Sequence, residues 1–223
     1  MRAGLLRAAK AELAVLSGHK AAAVLWDLKS LFDTVLPHVL LTEALSLGFN
    51  PRVLLLSIVV HLAPRVIDSQ MLQHPDPVRV SNSILAGLTD SVALTRALVR
   101  RVIIARWTGR PMAPPEVYVD DMCQLARGPP ATIAPGLANE AVLLHNGLQA
   151  IGGVISPKSV CVASDLALAR LVAANMRKQG VTMACAVEGR DLGLDFTAGG
   201  KRRVKVTKAR QLRASVRLSR ISR

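Results

Sequence analysis

The sequence predicts an α+β chain, a small mixed or antiparallel sheet packed on helices. Three observations lead there. Of the 223 residues, 51% are hydrophobic, enough for a sizeable core and far from the composition of a disordered chain. Short apolar runs of strand length and longer runs with helical periodicity interleave irregularly, without the regular alternation of a doubly wound fold. No internal repeat and no low-complexity linker interrupts them.

The elements follow in order. Residues 3–17 read as an amphipathic helix stopped by Ser17-Gly18. Arg7, Lys10 and Glu12 inside its apolar stretch, with no clear cleavage site, argue against a signal peptide. Ala21 to Leu28 is a short apolar run with Val and Trp that favours a buried strand ending in a carboxylate. Pro37 and Gly48 bracket a helix, and a second helix runs from about Pro51 to Ala63. Residues 65–84 carry β-branched residues on either side of HPDP, a hairpin-like excursion. Residues 90–107 have helical periodicity with Asp90 as N-cap. Residues 116–127 suggest a hairpin with Asp120-Asp121 at its turn. A helix over 137–151, a strand over 160–163 and a helix from Asp165 to about Gln179 follow, with short strands near 181–187 and 192–196. The tail beyond Lys201 begins as a strand and continues helical.

Charge narrows the partners. Lys and Arg number 29 against 15 Asp and Glu, a net charge of +14, which points to a polyanion, most often nucleic acid. The excess is uneven: residues 201–223 hold ten Lys/Arg and no acid. Aromatics make up 3%, too few for a surface that grips single strands by stacking. Cys123, Cys161 and Cys185 are far apart and lack zinc-ligand spacing, so a reducing, intracellular setting fits best. The longest apolar run, residues 53–63, contains Ser57 and His61 and is too short to span a bilayer, so no membrane partner is expected.

Two groups of carboxylates carry the chemistry. Tyr118-Val119-Asp120-Asp121 places adjacent acids in an apolar hairpin, where burial is costly unless a cation or hydrogen bonds compensate. A bare Asp-Asp pair is more often an exposed turn, but the flanking Tyr-Val and Met-Cys weigh against that. Asp27 ends a buried strand and is equally a helix N-cap or a ligand; Asp33 reads as solvated. Together, Asp27 and Asp120 could build the carboxylate cluster that two-metal phosphoryl transfer requires.

D-x-x-x-x-F-D at a strand end (Asp27, Phe32, Asp33), followed far downstream by Y-V-D-D, resembles reverse transcriptase. The resemblance implies a polymerase palm in which Asp27, Asp120 and Asp121 bind two catalytic Mg²⁺ ions, with Mn²⁺ as a substitute. Phe32 matches the aromatic gate against a ribose 2′-hydroxyl, and Tyr118 opens the second motif. Gly87, in Ile84-Leu85-Ala86-Gly87-Leu88, aligns with a segment that contacts template and nucleotide, although Ala86 and Leu88 replace the usual polar residues. Lys158, in Ser156-Pro157-Lys158-Ser159, is similar to the lysine that protonates pyrophosphate. Leu192-Gly193 resembles the primer grip, and the L-G-L-D-F run and F-D pair are most similar to non-LTR retroelements.

These likenesses imply RNA-directed DNA polymerase activity, with an RNA template, a DNA primer and deoxynucleoside triphosphates as partners. They divide the chain into a fingers remnant over 1–20, a palm over 21–200, and a basic tail over 201–223 where a thumb would begin. In that tail Lys201, Arg202, Arg203, Lys205, Lys208 and Arg210 are the candidates for phosphate contacts. With most of the fingers and thumb missing, the isolated chain is expected to polymerise poorly or not at all. Two rivals stay open: an RNA-dependent RNA polymerase palm, and a catalytically silent, nucleic-acid-binding retroelement remnant. Nuclear action follows only for a chromosomal retroelement.

Overall fold

The computed structural model describes residues 2–66, 68–69, 72–73, 77–104, 111–118, 121–192, 194–199, 208, 211–212 and 215. The elements are α1 (Arg2–Leu16), β1 (Lys20–Asp27), α2 (Leu31–Thr34), α3 (Pro37–Ser46), α4 (Pro51–His61), β2 (Asp68–Ser69), β3 (Leu72–Gln73) and α5 (Ser91–Ile104). They continue as β4 (Pro115–Tyr118), β5 (Asp121–Gly128), α6 (Pro130–Ala150), β6 (Val160–Ala163), α7 (Leu166–Lys178), β7 (Ala184–Ala186), β8 (Gly189–Asp191) and β9 (Leu194–Phe196). Two compact units result, one of residues 1–27, 109–145 and 156–223, the other of residues 28–108 and 146–155.

The first unit is built on a five-stranded sheet in the order β4-β5-β1-β6-β7. Its central strand, β1, runs antiparallel to β5 from Lys20↔Gly128 to Asp27↔Asp121. On its other edge β1 pairs antiparallel with β6, from Ala22↔Ala163 to Leu25↔Val160, and β6 pairs in parallel with β7. Residues 21–26 of β1 are buried without alternation, the mark of a strand covered on both faces. That burial overrides the helix propensity of Ala21-Ala22-Ala23. On one face Ala21, Ala23 and Leu25 join Ala11 of α1, Cys123, Val162 and Phe196 in a buried cluster. On the other, the Trp26 ring lies 6.3 Å from the ring of His145 on α6. Trp26 Nε1 donates to Gln124 Oε1 at 3.0 Å, and Gln124 Nε2 donates to the Ala113 carbonyl at 3.3 Å. The buried amide of Gln124 is thereby satisfied in mid-sheet.

Two elements differ from the sequence expectation. The helix expected from residue 137 starts at Pro130. Pro130 fits a first-turn position, while Pro135 lies inside the helix, where it has no N–H to donate to the carbonyl four residues back. The segment after β7 folds into a separate hairpin, β8–β9, with Asp191 paired to Leu194. Its first strand reads Gly-Arg-Asp, which has no apolar signal. Glycine is required there by contact: a Cβ at Gly189 would stand 2.9 Å from both Leu25 Cδ1 and Val162 Cγ2. Without it, β8 can lie against the sheet.

The second unit is mainly helical, with α3 packed on α4 and α5. Asn50 caps α4, its Oδ1 accepting from the N–H groups of Arg52 at 3.0 Å and Val53 at 3.3 Å. Buried Glu43 of α3 is paired with Arg101 of α5. The excursion expected over 65–84 contains the short pair β2–β3 and an Arg65↔Val78 bridge. Asp90 stands at the start of α5, but its carboxylate is turned to α4, where it accepts from the Ser57 hydroxyl and faces His61. Among the described residues, no helix is long and apolar enough to cross a membrane.

Candidate active site

Asp27 ends β1 half-buried, directly opposite Asp121, which opens β5. Residues facing each other across an antiparallel pair project to the same side of the sheet, with Cα atoms about 4.5–5.5 Å apart. The two carboxylates therefore rise together, on the side that also carries Leu25 and Cys123. Tyr118 is the other cross-strand neighbour of Asp121 and is 54% exposed.

The loop before β6 is strapped to the end of β1. The Asp27 N–H donates to Ser159 Oγ at 3.0 Å, and the Asp27 carbonyl accepts from the Ser156 N–H at 2.8 Å. Within the loop, Ser156 Oγ accepts from the Lys158 N–H at 3.2 Å. These bonds replace the β ladder before β6 begins, and they hold the base of Lys158 beside Asp27.

A cavity of about 330 Å³ opens at this end of the sheet. Asp27, Asp121, Lys158, Arg190 and Leu192 line it, over an apolar floor that includes Leu25 and Val160. Two carboxylates thus share one concavity with two cations. Arg190, exposed on β8, is the residue that sequence reading missed; its signal was its place directly before Asp191-Leu192. Leu192 forms the β8–β9 turn with φ of 49°, a left-handed conformation unusual for leucine.

The remaining candidates fall elsewhere. Phe32 lies in α2 of the second unit, half-buried, and its carbonyl accepts from the Ile84 N–H at 2.7 Å. That bond ties Phe32 to the segment of Gly87, which is exposed with φ of 96°, a conformation that favours glycine. Lys208 is exposed. Asp120, Gly193, Lys201, Arg202, Arg203, Lys205 and Arg210 lie outside the described residues.

The donor set suits a hard divalent ion. Asp27 and Asp121 offer only carboxylate oxygens, as Mg²⁺ prefers when waters and substrate phosphates complete its shell. Burial pushes the Cys123 thiol well above its ordinary range and Cys161 up to about 12, so neither is available as a soft ligand. Among the described residues, no three His, Cys, Asp or Glu side chains gather as a metal cluster.

No family model matches the chain, and neither does any curated protein. Solved structures do. Apo telomerase from Candida tropicalis, truncated from its C-terminal domain, is similar over 87% of this chain and 38% of its own, at 12% identity and a TM-score of 0.59. Telomerase from the same organism, in complex with a TWJ fragment of telomeric RNA, matches over 89% of this chain and 32% of its own, at 11% identity and a TM-score of 0.58. The Candida albicans enzyme, also in complex with a TWJ fragment of telomeric RNA, matches over 88% of this chain and 33% of its own, at 13% identity and a TM-score of 0.56. The chain thus spans about a third of the length of these structures. At such identities the likeness carries the fold alone, which is reverse-transcriptase-like.

Proposed function

We propose that this chain is a reverse-transcriptase palm that performs template-directed transfer of deoxynucleotides to a primer 3′-hydroxyl. The observation that carries the reading is the register of β1 and β5, which brings Asp27 and Asp121 together at the mouth of a cavity that also holds Lys158 and Arg190. Asp27 and Asp121, with Asp120 beside them in sequence, would hold Mg²⁺. When bound, such ions activate the attacking oxygen and offset charge on the triphosphate.

The chain's own residues supply the rest. Lys158, held by the Ser156–Ser159 loop, would protonate the departing pyrophosphate. Arg190 is a second cation for phosphate oxygens. Phe32 is the candidate sugar gate, and the Gly87 backbone is the candidate contact to nucleotide and template. The RNA-bound state of the telomerase neighbours and the basic tail support nucleic-acid binding. The non-LTR assignment rests on the F-D and L-G-L-D-F motifs.

Equilibrium dialysis with labelled nucleotide measures occupancy. With Mg²⁺ present, a deoxynucleoside triphosphate should bind saturably, and a ribonucleoside triphosphate should bind more weakly. Asp27→Asn should abolish the binding. An RNA–DNA hybrid should bind with steep salt dependence. Nucleotide binding that is absent, or indifferent to Asp27, would contradict the proposal.

A further inference from the structure

Outside the cavity, the most buried charged group among the described residues of the first unit is Arg7, on the second turn of α1. Its residue is 1% exposed. An arginine is rarely so buried unless its donors are taken up, and here three are. Nε donates to Glu116 Oε2 at 2.8 Å, Nη2 to the Glu116 carbonyl at 3.2 Å, and Nη1 to Asp191 Oδ1 at 2.7 Å. Lys10, one turn on, donates to the remaining Glu116 oxygen at 3.1 Å.

The two carboxylates belong to different hairpins. Glu116 lies on β4, two residues before Tyr118, in the hairpin that carries Asp121. Asp191 ends β8, between Arg190 and Leu192. Among the described residues no strand pairing joins these hairpins, and β8–β9 forms its own two-stranded sheet. The planar guanidinium spans them. Gly4, one turn earlier, brings the helix close to β8–β9: a Cβ there would stand 3.3 Å from Leu194 Cδ1 and 3.6 Å from Asp191 Oδ2. Asp191 Oδ2 is itself buried without a hydrogen-bond partner, so this carboxylate depends on Arg7 for compensation.

The electrostatics agree with that dependence. Burial raises the Asp191 pKa, and Arg7 opposes the rise without cancelling it. Burial lowers the Arg7 pKa and raises that of Glu116, but it is outweighed in both: Arg7 is held above its ordinary value by its two acids, and Glu116 below its own by Arg7 and Lys10.

We infer that Arg7 is a positioning residue, a fork that sets the distance between the hairpin bearing Asp121 and the hairpin bearing Arg190 and Leu192. In this way α1, which does not line the cavity, fixes how wide the cavity stands between its acidic and basic walls. This inference rests on the proposed function for its consequence, and on the Arg7 geometry for its cause.

The test uses the full chain and two variants. Arg7→Lys keeps the charge but has no planar fork to reach both acids at once. Arg7→Met/Asp191→Asn removes the fork and the charge it would orphan, which protects folding. Amide hydrogen exchange and Mn²⁺ binding, followed by paramagnetic resonance, are measured on all three proteins. Exchange should quicken in residues 115–118 and 189–196 by about ten- to a hundredfold, the scale of one charge-assisted hydrogen bond, while β1 and β6 stay protected. Mn²⁺ affinity should fall about tenfold or more in both variants. Unchanged exchange, or quickening spread over the whole sheet, overturns the fork. Quickened hairpins with unchanged Mn²⁺ affinity overturn the positioning role. A parent chain that binds no Mn²⁺ overturns the proposed function, and the positioning role falls with it.

Discussion

Ser159→Ala removes the strap that holds the Lys158 loop to the end of β1. Ser159 Oγ accepts from the Asp27 N–H at 3.0 Å and can return a bond to the Asp27 carbonyl at 3.3 Å. Ser159 is 5% exposed, so water cannot readily replace the lost acceptor. Leaving a buried donor unpaired costs about 1–3 kcal/mol. The Asp27 carbonyl keeps its bond from the Ser156 N–H, which favours the lower half of that range. For a chain of this size 1 kcal/mol moves Tm by about 2–4 °C, so Ser159→Ala should melt about 2–8 °C below the parent. Circular dichroism on heating, checked by the urea midpoint at unchanged slope, measures this. The variant should also bind triphosphate more weakly, since Lys158 loses its anchor. A melting point within 1 °C of the parent, with unchanged triphosphate affinity, would refute the strap.

Three further expectations follow from the same geometry. Stability should fall as pH drops through the acid range. The Ser57 hydrogen bond lowers the Asp90 pKa and the Leu168 N–H lowers that of Asp165, while Glu116 is lowered against its own burial, so the stability these groups add above their unfolded values, near 4, is lost on protonation. Asp191, raised by burial, contributes with the opposite sign and softens that loss; Tm measured from pH 3 to pH 7 reports the sum. Asp165→Ala should cost about 1 kcal/mol by urea titration, because Asp165 Oδ1 caps α7 by accepting from the Leu168 N–H at 2.8 Å. Phe32→Ala should raise affinity for ribonucleoside triphosphate relative to deoxynucleoside triphosphate, and an unchanged ratio would count against the gate.

Much of the fold is legible in sequence where periodicity and punctuation agree. The unbroken apolar run before Asp27 reads as a buried strand, and Pro37, Pro51 and Asp165 mark three helix starts. The Asp120-Asp121 pair locates a hairpin, but its register is not legible: Asp27 and Asp120 read as the facing pair, whereas the ladder sets Asp121 opposite Asp27. What escapes is held by contacts between segments distant in the chain. β8 has no apolar pattern, and its place depends on Gly189 meeting Leu25 and Val162. Arg7 reads as one charge on an amphipathic helix, because its partners are 109 and 184 residues away. Asp90 carries a capping signal, yet its side chain goes to Ser57 and His61, which only the packing of α4 beside the start of α5 brings within reach. Arg190 is legible only after β8 is placed.

Divalent-ion binding by the carboxylate pair is the most direct measurement. Mn²⁺ titrated into the full chain, in the presence of a deoxynucleoside triphosphate and followed by paramagnetic resonance, should show saturable uptake beyond that of the nucleotide alone. Asp27→Asn and Asp121→Asn should each weaken uptake about tenfold or more, while Asp33→Asn, an exposed acid in the second unit, should leave it unchanged. Equal uptake by the parent, Asp27→Asn and Asp121→Asn would contradict a shared metal site at the meeting of β1 and β5, and with it the polymerase reading.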